Sequence, residues 1–242
     1  MSQQAKVRGV ADIVFVVDVT GSMAPAINAL RENIMVFVDT LSSSDANGGS
    51  PVKDWRGRVV GYRDYLADGA GDWLIDNPFV RDAGALKAQL AALEARGGGD
   101  EPESLLDALY LIATREASGR SDAEDDRKWR FRGTAARVVI VFTDASYHDR
   151  MSVPDAAGGT ASDAKNAMIQ GKVRLSVFAP ELPCYDALSD LPHSELTLIP
   201  LNGATPVEAL AGFTRDQASF KATLQQLAKS VSQSSYDIPV SD

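Results

Sequence analysis

Asp12-Ile13-Val14-Phe15-Val16-Val17-Asp18-Val19-Thr20-Gly21-Ser22-Met23 carries the fold assignment. It opens as a run of apolar, mostly β-branched residues, long enough for one strand buried on both faces. It then breaks into a carboxylate, two hydroxyls and a glycine. Past the break, Ile27, Leu30, Ile34, Phe37, Val38 and Leu41 recur at three- and four-residue steps, the spacing of a helix packed on a sheet. Asp18 to Ser22 is therefore expected to be a strand-to-helix loop at the carboxyl end of a parallel strand, where open α/β sheets bind ligands.

The loop offers hard oxygen donors. Asp18 supplies a carboxylate, Thr20 and Ser22 at alternate positions can turn hydroxyls to one point, and Gly21 permits the tight turn between them. Without Lys, His or Cys in the segment, the set suits Mg²⁺ or a similar hard divalent cation, with water completing its shell. The plainer alternative is that Thr20 or Ser22 caps the next helix and Asp18 is a solvated strand-end acid. This loop alone does not separate the two.

Outward from it, apolar runs alternate with helical patterns. Strands are expected at about 12–18, 56–62, 138–142, 173–179 and 196–201, with Leu74 to Val80 as a short antiparallel edge strand. Helices are expected over about 24–42, around Leu86 to Leu93, from Asp100-Glu101-Pro102-Glu103 onward, over 161–169 and over 206–231. In the last of these, Leu210, Phe213, Phe220, Leu224 and Leu227 form the inner side. This order predicts one α/β domain over 11–231, with a doubly wound, mostly parallel sheet and helices on both faces. Residues 1–10 are a polar lead-in and 232–242 a polar tail. The charged connection 118–133 falls on the opposite edge and reads as solvated surface.

The 242 residues suffice for one sizeable core, and 45% hydrophobic with 24% charged residues is ordinary for a soluble globular protein. A net charge of −9 without a basic stripe argues against nucleic acid as a partner. No stretch approaches the roughly 20 apolar residues of a membrane span. The single cysteine, Cys184, excludes an intrachain disulfide and fits a reducing compartment. With no recognisable signal peptide, a cytoplasmic location and a monomer by itself are expected.

Asp144 ends the strand at 138–142 as Asp18 ends the first, and two acids at adjacent strand ends point to a shared cation. Asp100 is a third candidate, after Gly97-Gly98-Gly99; those glycines allow either close backbone approach or a simple helix stop.

Asp18-x-Thr20-x-Ser22, Gly98-Gly99-Asp100-Glu101-Pro102-Glu103 and Thr143-Asp144, in that order, resemble a von Willebrand factor A domain with its metal-ion-dependent adhesion site. Gly97-Gly-Gly-Asp-x-Pro-Glu is similar to the hemicentin-like and bacterial members, as is Gly61-Tyr62-Arg63-Asp64. The resemblance covers about Ala11 to Val231 and implies a Rossmann-like fold. It implies Mg²⁺, with Mn²⁺ or Ca²⁺ as alternatives, held by Asp18, Thr20, Ser22, Asp144 and Asp100, some through water. It also implies a partner protein whose Asp or Glu completes the coordination, and no enzymatic activity. Met23, Arg63, Glu101, Tyr147 and His148 would form the rim that partner meets.

The strongest rival is a haloacid-dehalogenase-type phosphotransferase with Asp18 as nucleophile. Against it, position 19 is Val rather than Lys, the acid two residues on is replaced by Thr20, and no acid follows Asp144. A serine hydrolase lacks its Gly-x-Ser-x-Gly elbow. Glu101 and Glu103 either favour the helix start or add to the metal site. Arg63 and Asp64 either pair or face solvent, and His148 is an exposed loop residue or a group behind the site. Trp55, Trp73 and Trp129 read as packing residues.

Overall fold

The computed structural model describes residues 9–42, 52, 54–216, 218 and 222. All nine residues of β1 (Val10–Asp18) are buried, as a strand covered on both faces requires. Two parallel neighbours flank it: β2 (Asp54–Tyr62) and β4 (Ala136–Phe142). With β3 (Leu74–Asp76), β5 (Val173–Pro180) and β6 (Glu195–Ile199), the sheet runs β3-β2-β1-β4-β5-β6. Only β3 is antiparallel. It is shorter than expected because Pro78 cannot continue the ladder; Val80 returns only as an isolated bridge to Gly57. Likewise β6 stops at Ile199, before Pro200.

Alternate residues of β1 face two cores. Ile13, Phe15 and Val17 pack with α1 (Ala24–Ser42), α3 (Ala83–Ala91) and α6 (Pro206–Arg215). Val14 and Val16 pack with α4 (Leu105–Thr114) and α5 (Ala161–Gly171). The short α2 (Tyr65–Asp68) follows β2 and is capped by Asp64. The chain is thus a Rossmann-like α/β fold with helices on both faces. Among the described residues no helix is long and apolar enough to cross a membrane.

Three expectations need correction. The helix expected from Asp100 starts at Leu105, because residues before it pair elsewhere: Glu103 N donates to Ser146 O and His148 N donates to Glu103 O. The helix around Leu86 ends at Ala91, and the chain then folds back so that Arg96 N reaches Val19 O. The 118–133 connection is not wholly solvated. Trp129 is fully buried, and Arg130 joins Arg56 on the buried Asp12 carboxylate at 2.6 and 2.8 Å. An acid inside the central strand needs such partners. Leu210 is buried and Phe213 packs against the same core, whereas Phe220, Leu224, Leu227, most of the lead-in and the tail lie outside the described residues.

Candidate metal centre

Register decides what meets at the carboxyl edge. Asp18 lies abreast of Tyr62 on one side, and Val17 lies abreast of Phe142 on the other, so Thr143 and Asp144 emerge beside Asp18. Asp18 is fully buried. Its Oδ1 accepts from Thr20 N at 2.9 Å and Thr20 Oγ1 at 2.7 Å; its Oδ2 accepts from Thr143 Oγ1 at 2.9 Å and Tyr62 OH at 3.4 Å. Ser22 Oγ, on an exposed residue, donates to Asp144 Oδ1 at 3.1 Å and lies 3.0 Å from Thr20 Oγ1.

That chain of contacts is one proton short once both acids are ionised. With both carboxylates ionised, the Thr20 proton goes to Asp18 and the Ser22 proton to Asp144. The 3.0 Å approach of the two hydroxyls then brings lone pairs together, an arrangement that a cation stabilises.

Behind it stands an acid whose sequence context suggested mainly a helix start. Glu103 is 3% exposed, and its Oε2 is buried without a hydrogen-bond partner. The triple-glycine loop seats it: Gly21 N donates to Gly97 O at 3.1 Å, and Gly98 N donates to Asp68 Oδ2 at 2.8 Å. At Gly98, with φ +90°, an added Cβ would lie 2.5 Å from Thr20 Cγ2 and 2.8 Å from Glu103 Oε1. Only glycine fits between those side chains. The sequence signal that could have found Glu103 is its place after Pro102 and before the first residue of the apolar helical pattern, Leu105.

The electrostatics follow from crowding. Burial pushes the Asp18 carboxyl above its usual range, against the hydrogen bonds from Thr20, Thr143 and Tyr62. Burial and then the Asp18 charge push Asp144 up to about 7. Burial, then Asp18, Asp64 and Asp144, push Glu103 up to about 9. These acids cannot all ionise near neutrality unless positive charge joins them. Among the described residues no three His, Cys, Asp or Glu side chains form a metal cluster by themselves, so a site here must draw on the hydroxyls of Thr20 and Ser22. The donor set and the unpartnered Glu103 oxygen fit a hard cation.

The other candidates scatter. Asp100 is exposed. Glu101 is exposed, its Oε2 accepting from Ser146 N at 3.2 Å and Ser146 Oγ at 3.0 Å. His148 Nε2 sits 2.9 Å from Asp64 Oδ1, which also accepts from Ser104 Oγ at 2.9 Å. Three expected rim residues face inward instead. Met23 is core, because the turn Gly21–Met23 aims it under α1. Arg63, 1% exposed, donates to the carbonyls of Val19, Asp72 and Glu94 and so ties three loops together rather than pairing with Asp64. Tyr147 is buried edge-on to Tyr185, its hydroxyl donating to Cys184 O.

No protein-family model and no curated protein matches this chain. Among solved structures, it is similar to proximal thread matrix protein 1 from the mussel byssus, with TM-score 0.52 and 14% identity over 90% of this chain and 47% of that one. It is also similar to the pilus adhesin SpaC of Lactobacillus rhamnosus GG in its open conformation, with TM-score 0.50 and 14% identity over 93% of this chain and 31% of that one. The chain spans about half the length of the first and about a third of the second. At such identity the likeness is one of fold.

Proposed function

We propose that this chain is a von Willebrand factor A-type interaction module, not an enzyme, that holds one Mg²⁺ at the carboxyl edge of its sheet. Mn²⁺ and Ca²⁺ are the alternative ions. Thr20, Ser22 and Asp144 supply oxygens to it, and Asp18 supplies charge while drawing the Thr20 proton away from the ion. Asp100, from its exposed position, acts through water. An Asp or Glu of a partner protein takes the open position, which faces solvent at Ser22.

The observation that supports the reading is the convergence of the Thr20 and Ser22 hydroxyls, 3.0 Å apart, with the carboxyl groups of Asp18 and Asp144 at the carboxyl edge of the sheet. A bound dication supplies Lewis acidity toward an incoming carboxylate. Asp18 accepts at both oxygens from four donors, which weighs against its use as a phosphoryl-accepting nucleophile. We infer a monomeric scaffold in a reducing, cytoplasmic setting, consistent with a single, partly buried cysteine.

A pull-down from the source cells in Mg²⁺ and in EDTA tests it. A partner captured in Mg²⁺ is expected to be lost in EDTA and with Asp144→Ala. Capture that survives both treatments rejects a cation-mediated contact.

A further inference from the structure

We propose that Arg58 binds a phosphate-type oxyanion beside β3, on the sheet face that packs against α4; this site is independent of the cation reading above. Arg58 lies on β2, four residues before Tyr62 and so about 13 Å of strand from the level of Asp18. It shares a face with Val60 and Tyr62, and its side chain is 0% exposed. Nη1 donates to Asp76 Oδ1 at 2.8 Å. Nε and Nη2 are buried and meet no protein acceptor.

Those two nitrogens form one side of a guanidinium fork, spaced to meet two oxygens of a carboxylate or phosphate. Arg56, two residues back on the same face of β2, shows that fork in use: its Nε and Nη2 hold the two oxygens of Asp12 at 2.8 and 2.9 Å. Among the described residues no acid meets the same fork of Arg58. The carbonyls of the neighbouring loop each take a donor already: Asp125 and Lys128 from Arg56, Asp126 from Phe79 N, Arg127 from Arg115. Phe79, its ring centroid 5.0 Å from Arg58 Cζ, attracts the charge but has no lone pair for an N–H.

Negative charge is short there as well. Asp76 is shared: its Oδ2 accepts from Arg115 Nη2, and its carbonyl accepts from Arg127 Nη1. Arg115 Nε is a further buried N–H without an acceptor. Burial pulls the Arg58 guanidinium down to about 10; Asp76 opposes this, whereas Arg115, Arg127 and Arg56 add to it. A buried cation with unmet donors is costly, and Leu or Met would pack on Phe79 without that cost. An oxyanion answers both deficits, filling the fork and offsetting the arginines. It enters beside Asp76 and Arg115, whose side chains are 23% and 22% exposed.

Calorimetric titration of the full chain tests this, in metal-free buffer at fixed ionic strength, with inorganic phosphate and glycerol 1-phosphate as probes. Saturable binding of one phosphate per chain is expected. Binding of both probes assigns the phosphoryl group of a larger molecule, and binding of inorganic phosphate alone assigns a free ion. Arg58→Lys keeps the charge and removes the fork. It is expected to weaken phosphate binding by roughly tenfold or more, the share of one hydrogen bond between charged groups. Arg96→Lys, at an exposed ion pair with Asp72, should bind within about twofold of the unaltered chain. Saturable binding of neither probe overturns the proposal, as does an Arg58→Lys variant that binds like the unaltered chain. Should Arg58→Lys fail to fold, nitrogen-15 spectra of the unaltered chain decide: phosphate must move the Arg58 Nε–H resonance, and a resonance that stays in place overturns the proposal.

Discussion

Asp144 and Glu103 are unusual carboxyl groups because burial and neighbouring acids favour their protonated forms, up to about 7 and about 9. The sign of the consequence follows from proton counting. Unfolded, both lose their protons near pH 4. Between there and their folded values the native state holds more protons, so stability is full below pH 4 and is lost as pH rises through about 7 and about 9. In EDTA the melting temperature is therefore expected to fall from about pH 5 to about pH 9, and excess Mg²⁺ should flatten that fall by replacing protons with a cation. A melting temperature that rises with pH in EDTA contradicts this. At this scale the sequence was readable where geometry is local. Thr20 and Ser22 lie within four residues of Asp18, and a tight loop must bring them together. The burial of Glu103 was not readable, because it depends on pairing with Ser146 and His148, more than forty positions away.

Among the elements, the triple-glycine loop does what no regular element could: it lays backbone against the Asp18 loop, with Gly21 N on Gly97 O. Gly98→Ala would force a Cβ into Thr20 and Glu103 while holding φ at +90°. The left-handed backbone costs about 1–2 kcal/mol, and overpacking a further 1–3 kcal/mol or so. Gly203, with φ +86°, has nothing within 4 Å of an added Cβ. Thus Gly98→Ala should lower both unfolding free energy and Mn²⁺ affinity, whereas Gly203→Ala lowers stability alone by the backbone share. Equal effects in chemical denaturation and calorimetry would mean that close approach at Gly98 is irrelevant. The strands were legible because β1 and β4 are apolar throughout and buried throughout. The helix starting at Leu105 was misjudged because acids and a proline resemble a helix start even where the backbone has partners elsewhere. The burial of Arg63 was hidden too: its three acceptors, Val19, Asp72 and Glu94, come from segments that only the fold assembles.

Across the whole molecule the sheet's two edges divide the work. At the amino edge, Asp12 is held by Arg56 and Arg130, both nearly fully buried, and neighbouring Asp54 also meets Arg130 at 2.6 Å. Asp12→Ala leaves the buried Arg56 without its carboxylate and Arg130 with Asp54 alone, and should cost about 3–5 kcal/mol in urea unfolding. Six steps of strand separate Asp12 from Asp18, about 20 Å, beyond the reach of screened charge. Mn²⁺ affinity of the folded variant is expected to stay unchanged, and a large loss would show that the edges are coupled. The most direct test of the central claim is anomalous diffraction from a crystal grown in Mn²⁺. The account predicts one manganese peak between Thr20, Ser22 and Asp144, with bonded oxygens at about 2.0–2.6 Å. Full occupancy of Mn²⁺ elsewhere, with Asp18 and Asp144 turned away from each other and no peak between them, would contradict it.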